Sequence, residues 1–351
     1  MGSGGLITLN SWKVIQMANN YGDITGQQAA RYEKQALRHA EPIVVLGKGA
    51  KLTVQPKKST KSVKWRRVVP YAASTTALTE GTAPSGTDFR YEEVTGTLLQ
   101  YGGYTPLTDH LVDMHEAPIL DDINKQNAEQ AARTKEALLW AVLGAATNVQ
   151  YANGEAALTG VDSALDYGEQ ALAVRTLSRN KARQFTQILS GGVKINTTPI
   201  EAAYLAFCHT DVKDSIRAMS GFTPVAQYGS MKPVSPHEFG SVNDVRYIAS
   251  PDLSSTIDAG ELLSATAGNI SDGGTRADVY TTIYCGMEAY GQIALAGKGS
   301  FTPVVRMVGT PSSSDPLGQT GSMGWKCYSD ELILNQSWIV AVKHTVTSAI
   351  S

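Results

Sequence analysis

Several groups of residues in this sequence are of types that do chemistry. His110 and His115 stand among Asp109, Asp113 and Glu116, all of them side chains that ligate divalent metals. The spacing is not the H-x-x-x-H that sets two imidazoles on one helix face, so a solvated acidic linker is the favoured reading. No metal or other cofactor is expected. Cys208-His209 with Asp211 supplies a nucleophile, a base and an orienting carboxylate. Adjacent residues of a strand point to opposite faces, which disfavours a Cys–His ion pair; a core cysteine beside a loop histidine is expected instead. Gly47-Lys48-Gly49 and Gly297-Lys298-Gly299-Ser300 fall short of the G-x-x-x-x-G-K-[ST] phosphate loop and are predicted turns. G-x-S-x-G is absent, so the commonest hydrolase elbow is not written here. The expectation is that the protein is not an enzyme.

Charge placement is more informative. Residues 51–70 carry Lys51, Lys57, Lys58, Lys61, Lys64, Arg66 and Arg67 with no acid among them. Between 80 and 122 the sign inverts: Glu80, Asp88, Glu92, Glu93, Asp109, Asp113, Glu116, Asp121 and Asp122 face a single cation, Arg90. The two blocks can neutralise each other within one hairpin or between copies. For the basic cluster three readings compete: a solvated strand face, a contact with nucleic-acid phosphates, and docking onto carboxylates of a neighbouring copy. The third is favoured, because every copy carries the acidic block.

Composition bounds the alternatives. In 351 residues, 42% are hydrophobic and 18% charged, enough apolar material for a core and too little charge for a disordered chain. Thirty basic against 32 acidic residues exclude a dedicated nucleic-acid binder. Cys208, Cys285 and Cys327 are odd in number and widely spaced, so neither a disulfide framework nor a zinc knuckle is indicated. No apolar run is long enough to span a membrane and no secretory signal is apparent, which predicts a soluble protein of a reducing compartment.

The elements that must position these residues follow from periodicity and turn chemistry. Residues 1–50 read as an arm, with short helical spacing after Ser11 and a capping box at Thr25-x-x-Gln28. Val63, Trp65 and Val69 alternate with Lys64, Arg66 and Val68 as in a strand with one face wet, and 71–90 is loop-like. A second strand runs from Val94 to Leu107 with a predicted bulge at Gly102-Gly103. Strands of that reach would form a ribbon roughly 40–50 Å long, and an isolated ribbon is marginal in water, so it must lie on another surface. A long helix is predicted at about 119–147, opened by Pro118 and by Asp121 and Asp122 at its positive end. A further helix at about 171–189, a strand at 200–207 and a short helix capped by Thr210-Asp211 follow. Strands at 279–285, 301–308, 325–334 and 337–346 close the chain, the last two as a hairpin about Asn335-Gln336, with Trp338, Val340, Val342 and Val346 on one buried face.

Three stretches carry a family resemblance. They are Thr75 to Pro84 (TTALTEGTAP), Val94 to Tyr104 (VTGTLLQYGGY) and Leu107-Thr108-Asp109. Downstream, in the same order, stand His209-Thr210-Asp211-Val212, Tyr284 to Gly291 (YCGMEAYG), Ser314 to Gln319 (SDPLGQ), Gly324-Trp325-Lys326 and Leu334 to Val340 (LNQSWIV). Together, over about residues 50–346, they resemble the major capsid proteins of tailed bacteriophages, more narrowly the N-four-like capsid family. The resemblance implies an α+β chain of the HK-ninety-seven-like (Johnson) fold. Its parts would be an N-terminal arm at 1–50, an extended loop or long β-hairpin at 51–110, and a peripheral domain with its spine helix at 111–194. An axial domain would span 195–300, with closing strands of the peripheral domain at 301–351. It further implies hexamers and pentamers in an icosahedral shell, non-specific contact with packaged double-stranded DNA, and a separate scaffolding protein and portal. A decoration protein is a further implied partner. Location in the virion, after assembly in the bacterial host cytoplasm, and no membrane partner complete the expectation; an encapsulin-like compartment of the same fold, holding a protein cargo, is the alternative. The expected inter-subunit contacts are Lys57, Lys58, Lys61, Lys64, Trp65, Arg66, Arg67, Glu80, Asp88, Glu92 and Glu93.

Overall fold

The computed structural model describes residues 43–114, 119–190, 196–228, 233–264, 268–297, 302–311 and 315–347. The predicted arm up to residue 42, His115, Glu116, Gly191-Gly192 and Lys298 to Ser300 lie outside these residues. In chain order come β1 (Lys51–Gln55), β2 (Ser62–Val68), β3 (Tyr91–Thr97), β4 (Leu99–Thr108), α1 (Asp109–Met114) and α2 (Ile119–Gly144). After β5 (Val149–Tyr151) follow α3 (Tyr167–Arg179), β6 (Phe185–Ser190), β7 (Asn196–Cys208), α4 (Lys213–Arg217), β8 (Phe222–Pro224), β9 (Glu238–Val242) and β10 (Val245–Ala249). The chain closes with β11 (Tyr280–Cys285), β12 (Tyr290–Leu295), β13 (Thr302–Arg306), β14 (Thr320–Ile333) and β15 (Ile339–His344).

Three sheets result. An eight-stranded mixed sheet runs β5-β15-β11-β7-β10-β9-β8, with β6 added to β7. A five-stranded sheet runs β1-β12-β14-β13, with β4 also paired to β14. Among the described residues, the strands β2 and β3 pair only with each other.

Alternation along β7 and β15 explains the main core. Leu205, Phe207, Ile339 and Ala341 face one side, where Leu139 and Leu143 of α2 and Val45, Leu46 and Tyr290 complete a cluster. Tyr204, Ala206, Cys208, Val340 and Val342 face the other, where Ala173 and Leu177 of α3 pack. The strand β15 is therefore buried on both faces, where the sequence predicts one. Further towards its start, α2 turns Ala131 onto Trp325, Cys327 and Tyr101 of the five-stranded sheet. One helix of 26 residues, about 39 Å at 1.5 Å per residue, thus serves both sheets.

Several expectations change. The long helix ends at Gly144, a turn early. The helix expected at 171–189 lies at 167–179: Asp166 caps it, accepting from Glu169 N at 2.8 Å, and Lys181 with φ 53° turns the chain into β6. The last two strands are not a hairpin. Asn335 accepts from Ser337 N in a 3-10 turn, and the chain passes from one sheet to the other there. Gly102 and Gly103 are not a bulge either; they pair in unbroken register with Lys326 and Trp325. Their missing side chains admit close neighbours, since a Cβ at Gly102 would lie 2.6 Å from the Trp325 carbonyl oxygen and one at Gly103 2.7 Å from Gln130 Oε1.

Candidate functional site

Of the charged residues singled out above, the ribbon of β2 and β3 carries Lys64, Arg66, Arg67, Glu92 and Glu93. Ser62 to Val68 pair antiparallel with Thr97 to Tyr91, seven residues a side, or about 23 Å. It is shorter than predicted because β1 joins β12 and β4 joins β14 instead of lengthening it. Val69 N donates to Arg90 O at 3.1 Å, and residues 70–89 form a largely exposed connection. The base is fixed more firmly. Thr97 N donates to Asp330 Oδ2 at 2.7 Å, and Leu98 N donates to Lys61 O at 3.1 Å. Gly96 lies so close to Ile293 and Asp330 that a Cβ there would collide with both side chains.

Register decides which charges meet. Arg66 stands opposite Glu93 and Arg67 opposite Glu92, and both pairs close into salt bridges, Arg66 Nε at 2.7 Å from Glu93. Lys64 Nζ reaches Glu93 diagonally at 3.2 Å. Its hydrogen bond, and next the charge of Arg66, hold the Glu93 carboxyl below the usual carboxylate range. Each such exposed pair is screened by solvent and contributes little beyond favouring this register. Of the two ways the opposite blocks can cancel, the one within a single hairpin is realised by Lys64, Arg66, Arg67, Glu92 and Glu93.

The other residues are placed differently. Lys57, Lys58 and Lys61 occupy the exposed turn between β1 and β2, Lys58 with φ 61°, and form no ion pair among the described residues. Trp65 is half-buried opposite Val94. Glu80 is exposed, and Asp88 meets Arg90 at 3.6 Å.

Sequence reasoning passed over the aromatic side of this ribbon. Tyr71 and Phe89 pack edge to face at 6.4 Å between ring centres, Phe89 and Tyr91 at 4.7 Å, and each ring is more than half exposed, as is Val68. The signal was present: one aromatic just after β2 and two around the start of β3, at positions that the Val68–Tyr91 register brings together.

Among the described residues the other candidates are not brought together into one site. Cys208 is fully buried, its thiol pushed up to about 12 by desolvation, and it donates to Ile248 O at 3.8 Å. His209 turns away to accept from Asp211 N at 3.2 Å. Lys48 ends a 3-10 turn at 46–48, and Gly49 packs under the Tyr290 hydroxyl. Among the described residues no group of three or more His, Cys, Asp or Glu side chains is arranged to hold a metal ion. Among them, too, no helix is long and apolar enough to cross a membrane.

Comparison with known proteins agrees with this geometry. The family model described as phage capsid protein matches residues 91–341. The chain is similar to the solved capsid of Ralstonia phage GP4, at 8% identity and TM-score 0.65 over 94% of this chain and 98% of that one. It is similar to the cyanophage Pam1 capsid, at 12% identity and TM-score 0.61 over 94% and 100%. The capsid of cyanophage P-SCSP1u follows, at 13% identity and TM-score 0.59 over 91% and 93%. At these identities the likeness establishes the fold, the α+β HK-ninety-seven-like architecture. No curated protein matches the chain.

Proposed function

Because this chain belongs to the phage capsid protein family, we propose that it is the major capsid protein of a tailed bacteriophage, closing hexamers and pentamers into an icosahedral shell around double-stranded DNA. It is a structural protein of the virion capsid, and its work is done at interfaces rather than on a bound substrate. The observation that carries this reading is the β2–β3 ribbon. Among the described residues it pairs with no other strand and is fastened at its base, and it leaves Val68, Tyr71, Phe89 and Tyr91 exposed. Two strands alone are marginally stable in water, so this surface needs a partner, and the partner is an adjacent copy.

In that arrangement Lys57, Lys58 and Lys61 dock on carboxylates of the neighbour. Lys64, Arg66 and Arg67, spent on Glu92 and Glu93, stiffen the ribbon that carries them. Trp65, Glu80 and Asp88 belong to the same contact. The segments 51–110, 111–194 and 195–300 act as extended loop, peripheral domain and axial domain. Residues 301–351 supply the closing strands of the peripheral domain. A separate scaffolding protein, a portal and a decoration protein are the further partners. DNA is held through non-specific contacts, and assembly takes place in the host cytoplasm.

An encapsulin-like compartment is not favoured, since the similar solved structures are phage capsids. Electron microscopy of the purified protein, expressed alone and with its scaffold, tests the reading. Closed polyhedral particles are expected; a chain that stays monomeric under both conditions, or particles filled with a protein cargo, would overturn it.

A further inference from the structure

Helix α3 separates two surfaces of opposite charge. At its N-terminal end an open cleft of about 730 Å³ has the buried side chains of Leu165, Met219 and Val346 as its floor. Asp166, Asp211 and Asp214 stand exposed at its rim. Each of these carboxylates has a local role. Asp166 caps α3, Asp211 accepts from the Tyr280 hydroxyl at 2.9 Å and faces His209 Nδ1 at 3.1 Å, and Asp214 lies 3.5 Å from Arg217. A carboxylate has about four acceptor positions, so all three retain capacity for an incoming donor.

At the other end of the helix the charge is positive. Arg175 and Arg179 are four residues apart and share a face; Lys181 and Arg183 continue the patch, and all four are exposed. None of the four forms an ion pair among the described residues. The one acid of the loop beside them, Glu288, is taken by Lys51 at 2.9 Å, although Met287 N donates to Arg183 O at 2.7 Å in that same loop. From Asp166 to Arg179 the helix rises about 20 Å, so the patch cannot enter the cleft of its own chain.

We propose that the cleft receives the Arg175–Arg183 patch of a second copy. The guanidinium groups meet Asp211 and Asp214, while the arginine stems lie on the apolar floor. Because the two faces differ, the contact is head-to-tail, and repeating it by one rotation closes a ring. This inference rests on the shell reading above and adds which faces make the ring.

The test uses full-length protein in four forms: wild type, R175E/R179E, D211K/D214K and the quadruple variant carrying both. Circular dichroism and thermal melting establish that each is folded, and D211N/D214N, which keeps an acceptor for Tyr280, repeats the acidic arm more gently. Rings and shells are counted by electron microscopy at physiological ionic strength. Each double variant alone should lose rings, and the quadruple variant should regain them. An equimolar mixture of the two reversed double variants has a sharper signature. Each copy then fits only the other kind, so rings of six form and rings of five do not. Wild-type shells together with undiminished rings from either reversed variant would overturn the contact alone, as would five-membered rings from the mixture. A wild type that forms no particles would defeat the shell reading and this contact with it.

Discussion

Gly102 and Gly103 show how a single hydrogen in place of a side chain fixes a larger arrangement. Both lie on β4 opposite Lys326 and Trp325, and Gly103 faces Gln130 of α2. Gln130 Oε1, which would meet a Cβ at Gly103, already accepts from Trp325 Nε1 at 2.8 Å, so it can withdraw only by giving up that bond. At Gly102 the obstacle is a backbone carbonyl, which cannot rotate aside. Overpacking of this kind costs about 1–3 kcal/mol. We expect both Gly102→Ala and Gly103→Ala to destabilise the subunit in chemical denaturation, Gly102→Ala the more. Equal stability of Gly103→Ala and wild type would show that α2 does not press on this strand, and equal stability of Gly102→Ala that the partner strand does not. The sequence makes the glycine pair conspicuous but is silent on its cause. A bulge and a close approach leave the same two letters, and only the partner strand and the helix above it distinguish them.

At the scale of elements, β15 shows what alternation conceals. Its apolar residues read as one buried face because Trp338, Val340, Val342 and Val346 recur with period two, yet Ile339 and Ala341 are equally enclosed, by α2. The same enclosure reaches His344, which is fully buried between Thr282 and the Thr345 carbonyl. The carbonyl can only accept, so Nδ1 carries the proton and Nε2 accepts from the Thr282 hydroxyl. Burial, the largest cause, lowers the imidazole pKa from 6.5 to about 4. The folded chain therefore binds fewer protons than the unfolded one between those values. The stability contributed is complete above about pH 6.5 and is lost as pH falls towards 4, a span worth about 3 kcal/mol. Glu136, Glu238 and Glu331 have carboxyls raised mainly by burial and act in the opposite sense, so only a difference isolates the histidine. His344→Gln should be less sensitive to acidification between pH 6.5 and 4 than wild type, read from paired melting curves. Parallel curves would refute the assignment. The long helix, the strand at 200–207 and the ribbon were legible from period and charge. The division of β14 and β15 between two sheets was not, because Asn335-Gln336 is turn chemistry whether the chain folds back or crosses over.

For the whole molecule the question is which cations remain available once the fold has taken its share. The basic block reads as one cluster in sequence, but cross-strand register assigns Lys64, Arg66 and Arg67 to Glu92 and Glu93 and leaves Lys57, Lys58 and Lys61 in the exposed turn. The triple reversal K57E/K58E/K61E spares the hairpin pairs, so the subunit should fold with an unchanged melting temperature and fail to form shells at physiological ionic strength. Normal shells would remove these lysines from the contact; shells that form but lose DNA would assign them to phosphates instead. Such surface charges are visible in composition, whereas their availability depends on pairing at long range, which no local pattern encodes.

Helix α2 has one further consequence. Its middle is seated on Trp325 of one sheet and its last two turns on Leu205 and Phe207 of the other. A rod clamped at two points passes a tilt of either seat to its opposite number. A subunit moving between rings of five and six therefore has little freedom to absorb the change of angle between its two sheets, and must take it up where backbone is uncovered, above all in residues 70–89. Stiffening that connection with proline should penalise one ring size before it harms the fold of a single copy.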